Sequence, residues 1–405
     1  MDIKSIKKEF PIFKQKINGK KLIYLDSANS SQKPKVVIDK ISNFYETEFS
    51  NVGRSVHTLA VKATNRFEAT RDKVQKYINA KHREEIIFTK GATEAINLVA
   101  TTFGKRHISK GDEIIITELE HHSNYVPWHY LRSEKGAIIK FAKVNENGDV
   151  EIEEIKKLIT SKTKIIAITH ISNVTGAVLP IIKIVDLAKE KNIPVLIDGT
   201  QGAPHSHIDM QEIGCDFYAI SCHKMYGPNG LGVLYMKKRW LDDLPPYQGG
   251  GGMINEVKKE DITFADANTK FEAGTMQTAE VVAFAESLNF IENLGIKNIA
   301  SHENEILQYG LETLRKNNSV NIIGDPKKRG SVLCFTLKDI HPHDIATILD
   351  DDGVAIRAGH HCCQILHDKL GIPATARASI GVYNDKEDMD KLSDAIKNCQ
   401  KVFQN

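Results

Sequence analysis

Residues Ala358 to Cys363 read AGHHCC, two histidines directly before two cysteines. Such a run suits three chemistries: a metal site, a disulfide, or a thiol nucleophile with acid–base partners. Distance argues against a bond between Cys362 and Cys363. Adjacent Cα atoms lie ~3.8 Å apart across a trans peptide, whereas disulfides span ~4.4–6.8 Å. A metal fits poorly too. Neighbouring side chains on an extended loop diverge, and no second ligand pair stands at metal spacing. No metal is expected. A thiol nucleophile remains, reactive as the thiolate. Arg357, His360 and His361 are the neighbours that would favour its ionisation.

A second reactive candidate is Lys224 in FYAISCHKMYGPNGLG. It follows directly on what reads as a buried strand, and ligands of open α/β sheets gather at the carboxyl ends of strands. A lysine kept from water there has a depressed pKa and can attack an aldehyde. The plainer alternative is a loop lysine on the surface. Asp198 ends the preceding strand in VLIDGTQGAP. A carboxylate in that place caps a turn or pairs with a cation, and the pyridinium of pyridoxal phosphate is such a cation. A G-x-G-x-x-G dinucleotide signature is missing, and GPNGLG has another spacing and precedes a strand. In TKGATEAINLV a strand runs into Gly91-Ala92-Thr93 and then a helix. Free N–H groups and the helix dipole there suit a phosphate. Thr93 is equally placed to be an N-cap.

These residues need a scaffold. EIIFT (85–89), EIIIT (113–117), AIIKFAKV (137–144), KIIAIT (164–169), PVLID (194–198), FYAIS (217–221) and GVLYM (232–236) read as strands. Most are continuous apolar runs, the mark of strands covered on both faces. Helical stretches such as GATEAINLVATTFG fall between them, which predicts an α/β fold with a mainly parallel sheet. The pattern changes near residue 290. SVLCFTL reads as a strand and DIATILDDDG as a helix. Met389, Leu392, Ile396, Cys399 and Phe403 form one apolar helical face. A smaller α+β domain is expected there. Residues 248–275, glycine-rich and then charged, read as a long excursion from the sheet.

The totals exclude several classes. Basic residues number 54 and acidic ones 52, for a net charge of +2, so no nucleic acid or membrane partner is expected. No apolar run reaches the ~18 residues of a membrane span, and the N-terminus has no secretory h-region. Six cysteines without a Cys-x-x-Cys pair fit neither a disulfide scaffold nor a zinc ribbon. A cytoplasmic location with free thiols is expected.

With Lys224, Asp198 and Thr93 in place, the chain resembles the class V aminotransferase type of pyridoxal-phosphate enzymes. More closely, it is similar to the SufS-type (group II) cysteine desulfurases. The resemblance rests on RSVHTLA, GATEAINLVA, ELEHHSNYVPW, HISNVTGAVLP, VLIDGTQGAPH, SCHKMYGPNGLGVLY, FEAGTMQT and RAGHHCC, in that order along nearly the whole chain. It implies the aspartate aminotransferase type I fold. A large domain would span 21–292, with a small domain from 1–20 and 293–405 carrying the Cys loop.

The resemblance implies that Lys224 bears pyridoxal 5'-phosphate, that Asp198 meets the ring nitrogen and that Gln201 meets the ring hydroxyl. His121 would stack on the ring and shuttle protons. Thr93, Ser221 and His223 would hold the phosphate, joined by Thr275 from the neighbouring subunit of a homodimer. Arg377 would clamp the substrate carboxylate, with Asn173 and Arg357 beside it; a planar guanidinium suits that task. An arginine here also suits a structural ion pair. Cys362 would be the nucleophile, converting L-cysteine to L-alanine and keeping the sulfur as a persulfide. A SufE- or SufU-like acceptor and iron–sulfur cluster assembly would follow. Selenocysteine lyase activity is the nearest alternative. Three positions depart from the family pattern: Cys363 stands where alanine is usual, Ile365 where proline is frequent, and Gly53 where histidine is common.

Overall fold

The computed structural model describes residues 1–53 and 55–403. Arg54, the first residue of RSVHTLA, lies outside the described residues. The central sheet consists of β1 (Ile86–Thr89), β2 (Glu113–Thr117), β3 (Ile138–Ala142), β4 (Thr163–Thr169), β5 (Val195–Asp198), β6 (Phe217–Ser221) and β7 (Gly232–Met236). Its order is β1-β7-β6-β5-β4-β2-β3. Only β7 runs against its neighbours; every other pairing is parallel.

Alternation along each strand explains the continuous apolar runs. Ile86, Phe88, Ile115, Ile166, Ile168, Ile197 and Ile220 pack into one core on one face. Ile87, Ile114, Ile116, Ile165, Leu196 and Leu234 pack into another on the opposite face. A strand buried on both faces has no polar alternation to show. Each such side chain contributes about 1.5–3 kcal/mol by leaving water.

A second sheet holds β8 (Val320–Ile322), β9 (Val332–Leu337), β10 (Arg357–Gly359) and β11 (Thr375–Ser379), in the order β8-β9-β11-β10 and wholly antiparallel. Leu333, Phe335 and Leu337 face the helices Ile296–Arg315, Pro342–Asp351 and Lys386–Phe403. Val332 and Cys334 of the same strand face the core of the large sheet. β9 therefore joins the two sheets through its alternation. The N-terminal segment ties in as well: Lys7 pairs with Asp388 of the last helix at 3.1 Å, and Ile23–Tyr24 pairs with Val354–Ala355.

One expectation needs correction. Phe403 is 48% exposed, because the last turn of its helix projects past the sheet that buries Met389, Leu392, Ile396 and Cys399. The excursion at 248–275 contains a hairpin, Ile254–Val257 against Ile262–Phe264, whose Val257, Ile262 and Phe264 are exposed. Among the described residues no helix is long and apolar enough to cross a membrane.

Close packing under β5 explains the glycine after Asp198. A Cβ on Gly199 would stand 1.9 Å from the ring of Tyr218, which is fully buried and bonded through its hydroxyl to His170 at 2.9 Å. Gly199→Ala is expected to cost about 1–3 kcal/mol from overpacking. Thermal unfolding of the purified variant checks this, and an unchanged midpoint would contradict the packing argument.

Candidate active site

The carboxyl ends of β4, β5 and β6 and the start of the helix Ala92–His107 open into one cavity of about 250 Å³. From the large sheet it takes Thr93, His121, Asp198, Gln201, Ser221, His223 and Lys224; from the second sheet and its loop come Arg357, Cys362 and Arg377, with Asn173 between them. Eleven expected residues thus meet in one place, although they span most of the chain.

Lys224 ends a short 3-10 turn, Cys222–Lys224, that directly follows β6. Burial, then the Arg377 guanidinium, pushes its ammonium down to about 8, with Asp198 pulling the other way. At that value a sizeable share of the amine is neutral and nucleophilic near neutral pH. Asp198 accepts the Thr200 N–H at 3.0 Å. Gln201 donates to the Ala28 carbonyl at 2.7 Å. Its Oε1 is buried and has no partner among the described residues.

The anion-binding end differs from the expected N-cap. Gly91 is the N-cap of the helix, and Thr93 lies inside its first turn. The Thr93 hydroxyl is free of capping duty and meets the Ser123 hydroxyl at 2.7 Å. Ser221 accepts the Ala92 N–H at 3.2 Å. Burial holds His223 neutral, its pKa down at about 4, and its Nδ1 lies 3.1 Å from the Ser30 hydroxyl.

His121 caps the short turn His122–Asn124, its Nδ1 accepting the Ser123 N–H at 3.1 Å. That bond fixes the tautomer with the proton on Nε2. Burial, then Lys224, pushes its pKa down to about 3. Glu120 braces this turn from behind. Its carboxyl takes bonds from Thr117 (2.6 Å), Asn124 (2.7 Å) and the Thr169 N–H (3.1 Å), and burial pushes its pKa up to about 8.

The AGHHCC stretch is not an extended loop, contrary to the sequence expectation. His361 and Cys362 are both left-handed, with φ of 51° and 56°. This turn sends Cys362 to the cavity and buries its two neighbours. His361 bonds Thr375 Oγ1 at 2.9 Å, and burial drives its pKa to about 2. It is therefore no cation for the thiol, and His360 is exposed. The cation beside Cys362 is Arg357, whose Nη2 lies 3.7 Å from Sγ. Cys363 is fully buried, donates to the Leu119 carbonyl at 3.3 Å, and burial pushes its thiol up.

Arg377 is both cavity wall and ion pair: Nη2 meets Asp26 Oδ1 at 3.1 Å and Nη1 donates to the Asn173 carbonyl at 3.3 Å. Asn173 in turn donates to the His361 carbonyl at 2.6 Å. Thr275 lies off this cavity, exposed on its own chain. Ser123, Thr200 and Asn29 also line the wall, and sequence reasoning singled out none of them. Ser123 had a signal, since it sits within EHHSN. Asn29 stands in the polar run DSANSSQ, where nothing sets it apart from its neighbours, far in sequence from the other site residues.

Known proteins place this geometry. The family model Aminotransferase class-V matches residues 23–392. A probable cysteine desulfurase of Staphylococcus epidermidis is 48% identical over 403 residues, covering 99% of this chain and 98% of the relative. Another, from Halalkalibacterium halodurans, is 45% identical and covers 100% of this chain and 99% of its own. Among solved structures, the cysteine desulfurase CsdA of Escherichia coli superposes with a TM-score of 0.92 at 34% identity, covering 99% of both chains. The apo cysteine desulfurase of Thermococcus onnurineus gives 0.92 at 32%, covering 98% of this chain and 97% of that one. The α/β architecture and its seven-stranded sheet are thus those of a known group: the chain belongs to the class-V aminotransferase family, among its cysteine desulfurases.

Proposed function

We propose that this chain converts L-cysteine to L-alanine with pyridoxal phosphate and keeps the sulfur on Cys362. The observation that carries this reading is the sharing of one cavity by Lys224 and Cys362, with Arg357 3.7 Å from the sulfur. The names of the relatives favour cysteine over selenocysteine as substrate.

The residues fit the cofactor. Gln201 Oε1 is a buried acceptor without a partner among the described residues, suited to a ring hydroxyl. Asp198 suits the ring nitrogen. Thr93, Ser123, Ser221 and His223 surround a helix start suited to the phosphate. In the proposed homodimer Thr275 joins them from the neighbouring subunit. When bound, pyridoxal phosphate supplies the electron sink that stabilises negative charge at the substrate Cα.

The protein supplies the rest. Arg377, with Asn173, receives the substrate carboxylate and fixes its orientation. The Lys224 amine, once free of the cofactor, takes the Cα proton. His121, neutral with Nε2–H, stands ready to pass a proton to or from the substrate. The Cys362 thiolate attacks the substrate sulfur, and the electron pair of the breaking C–S bond stays with carbon. Cys362 is left as a persulfide, the carbon that lost sulfur takes a proton, Lys224 returns one to Cα, and alanine departs. A SufE- or SufU-like protein of the cytoplasm then accepts the sulfur for iron–sulfur clusters. The division at 21–292 against 1–20 and 293–405 separates the cofactor side from the Cys side.

Cys362→Ala is expected to lower alanine formation from L-cysteine on the order of 10²-fold or more while the cofactor stays bound. Persulfide mapping by mass should find the extra sulfur on Cys362 of the parent protein. Cysteine turnover retained by the variant would remove Cys362 from its role. Cys363→Ala, at a buried thiol that faces away from the cavity, should keep turnover within about threefold; a loss like that of Cys362→Ala would contradict its structural role.

The Lys224 value gives a pH test. An ordinary lysine stays charged until about pH 10.4, whereas this amine loses its proton near 8. Capture of pyridoxal phosphate by the apo-protein should therefore speed up through pH 7–9 and level off above. A rise that continues to pH 10 or beyond would contradict the depressed value.

A further inference from the structure

In the second sheet, β10 and β11 place Arg357 directly opposite Arg377. Like charges facing each other across strands repel. Something must hold the two guanidiniums apart in orientation and balance them. The segment after Ile23–Tyr24 does this. Asp26 pairs with Ser379 of β11 through the backbone and accepts Arg377 Nη2 on Oδ1 at 3.1 Å. Asn29 Nδ2 donates to Asp26 Oδ2 at 3.1 Å. Arg357 Nη1 donates to Asn29 Oδ1 at 2.9 Å. Arg357 Nη2 then reaches Cys362 Sγ at 3.7 Å.

We propose that Asp26 and Asn29 are positioning residues. They form a hydrogen-bonded line from the carboxylate-binding Arg377 to Arg357, and so set Arg357 against the Cys362 thiol. The inference rests on the roles given above to Arg377 and Cys362 and extends them. Residue chemistry selects the members. Asn29 must donate to a carboxylate on one side and accept from a guanidinium on the other, which a single amide does and an alanine or a leucine cannot. A carboxylate at that place would set two anions face to face. Asp26 carries the one negative charge between two cations. When the Cys362 sulfur becomes anionic to attack, Arg357 already stands beside it, and no side chain has to be ordered at that moment. A second path runs in parallel, since Asn173 accepts Arg377 Nη1 on its carbonyl and holds the His361 carbonyl with its side chain. The substrate-binding arginine is thereby bonded to the Cys loop from two sides.

The test uses the holoenzyme and reads the thiol without turnover. The other five cysteines are buried, so iodoacetamide at pH 7 reports on Cys362. In Asn29→Ala the alkylation rate should fall about three- to tenfold, since the lost bond to a charged group is solvent-exposed. For L-cysteine, kcat should fall by a similar factor while KM stays within about twofold, because Arg377 keeps Asp26. The exchange Asp26→Asn with Asn29→Asp keeps every donor facing an acceptor along the line and should restore alkylation to within about twofold of the parent protein. Asn29→Ala indistinguishable from the parent in alkylation and kcat would overturn the proposal. So would a folded exchange variant as slow as Asn29→Ala. In both cases a parent protein that forms the Cys362 persulfide leaves the proposed function standing; a parent that forms none overturns the function and the line together.

Discussion

Three cations, Lys224, Arg357 and Arg377, share the wall of one cavity. Asp198 in the wall and Asp26 behind Arg377 are the carboxylates set against them. Two unit charges ~4 Å apart interact by about 4 kcal/mol at the effective dielectric of a protein surface, so this crowding constrains everything around it. Its first consequence is the Lys224 amine, which burial and Arg377 together push down to about 8. The Arg377 charge, to which the proposed function gives a substrate carboxylate, thus also eases loss of the Lys224 proton. Under the proposed function a carboxylate arriving at Arg377 would offset that charge, which would link substrate arrival to the electrostatics of the lysine.

The constraint is met by splitting the site between two sheets. The parallel sheet delivers its residues at strand ends, where the backbone turns away and leaves room for a ligand. The antiparallel sheet delivers Arg357 and Arg377 from within strands, where cross-strand pairing fixes them rigidly. Neither sheet alone holds both the lysine and the thiol. Their union rests on β9, whose alternate residues enter two different cores, and on the Lys7–Asp388 pair, with side chains 11% and 2% exposed. A change that loosens β9 would therefore reach the chemistry by parting the lysine from the thiol, with no contact to either.

How far the sequence revealed this differs by element. Six strands of the large sheet were legible because burial on both faces leaves unbroken apolar runs such as Ile114–Ile116; the edge strand β3, with Ile138 exposed, was legible from its β-rich composition alone. The reversed direction of β7 was not, since a buried strand reads the same either way. Lys224 and Asp198 were legible because each directly follows or ends such a run. Asp26 and Asn29 were not: their meaning lies in register with β11 and β10, more than three hundred residues later in the chain. Thr93 was legible as a residue at a helix start, but not its release from capping, since the N-cap position falls to Gly91, which has no side chain to cap with. Phe403 had the right period and no partner, since periodicity says which face a residue takes and not where the facing surface ends.

The turn at His361 and Cys362 shows why AGHHCC needs its unusual order. A left-handed conformation costs an ordinary residue roughly 1–2 kcal/mol, and here two occur in succession. Such strain persists where surrounding contacts over-determine it. The His122 N–H holds the Cys362 carbonyl at 2.7 Å, and Asn173 holds the His361 carbonyl at 2.6 Å. On either side of the thiol, His361 is pinned to Thr375 and Cys363 to Leu119. Three successive side chains thus point to core, cavity and core within a tight left-handed turn that both adjoining peptide carbonyls hold in place. His361 and Cys363 act by being buried: they anchor the flanks so that the one thiol between them is presented to the cavity and to Arg357. The two histidines and two cysteines that suggested a cluster of reactive groups therefore contain one thiol open to the cavity and, on either side of it, the anchors that aim it.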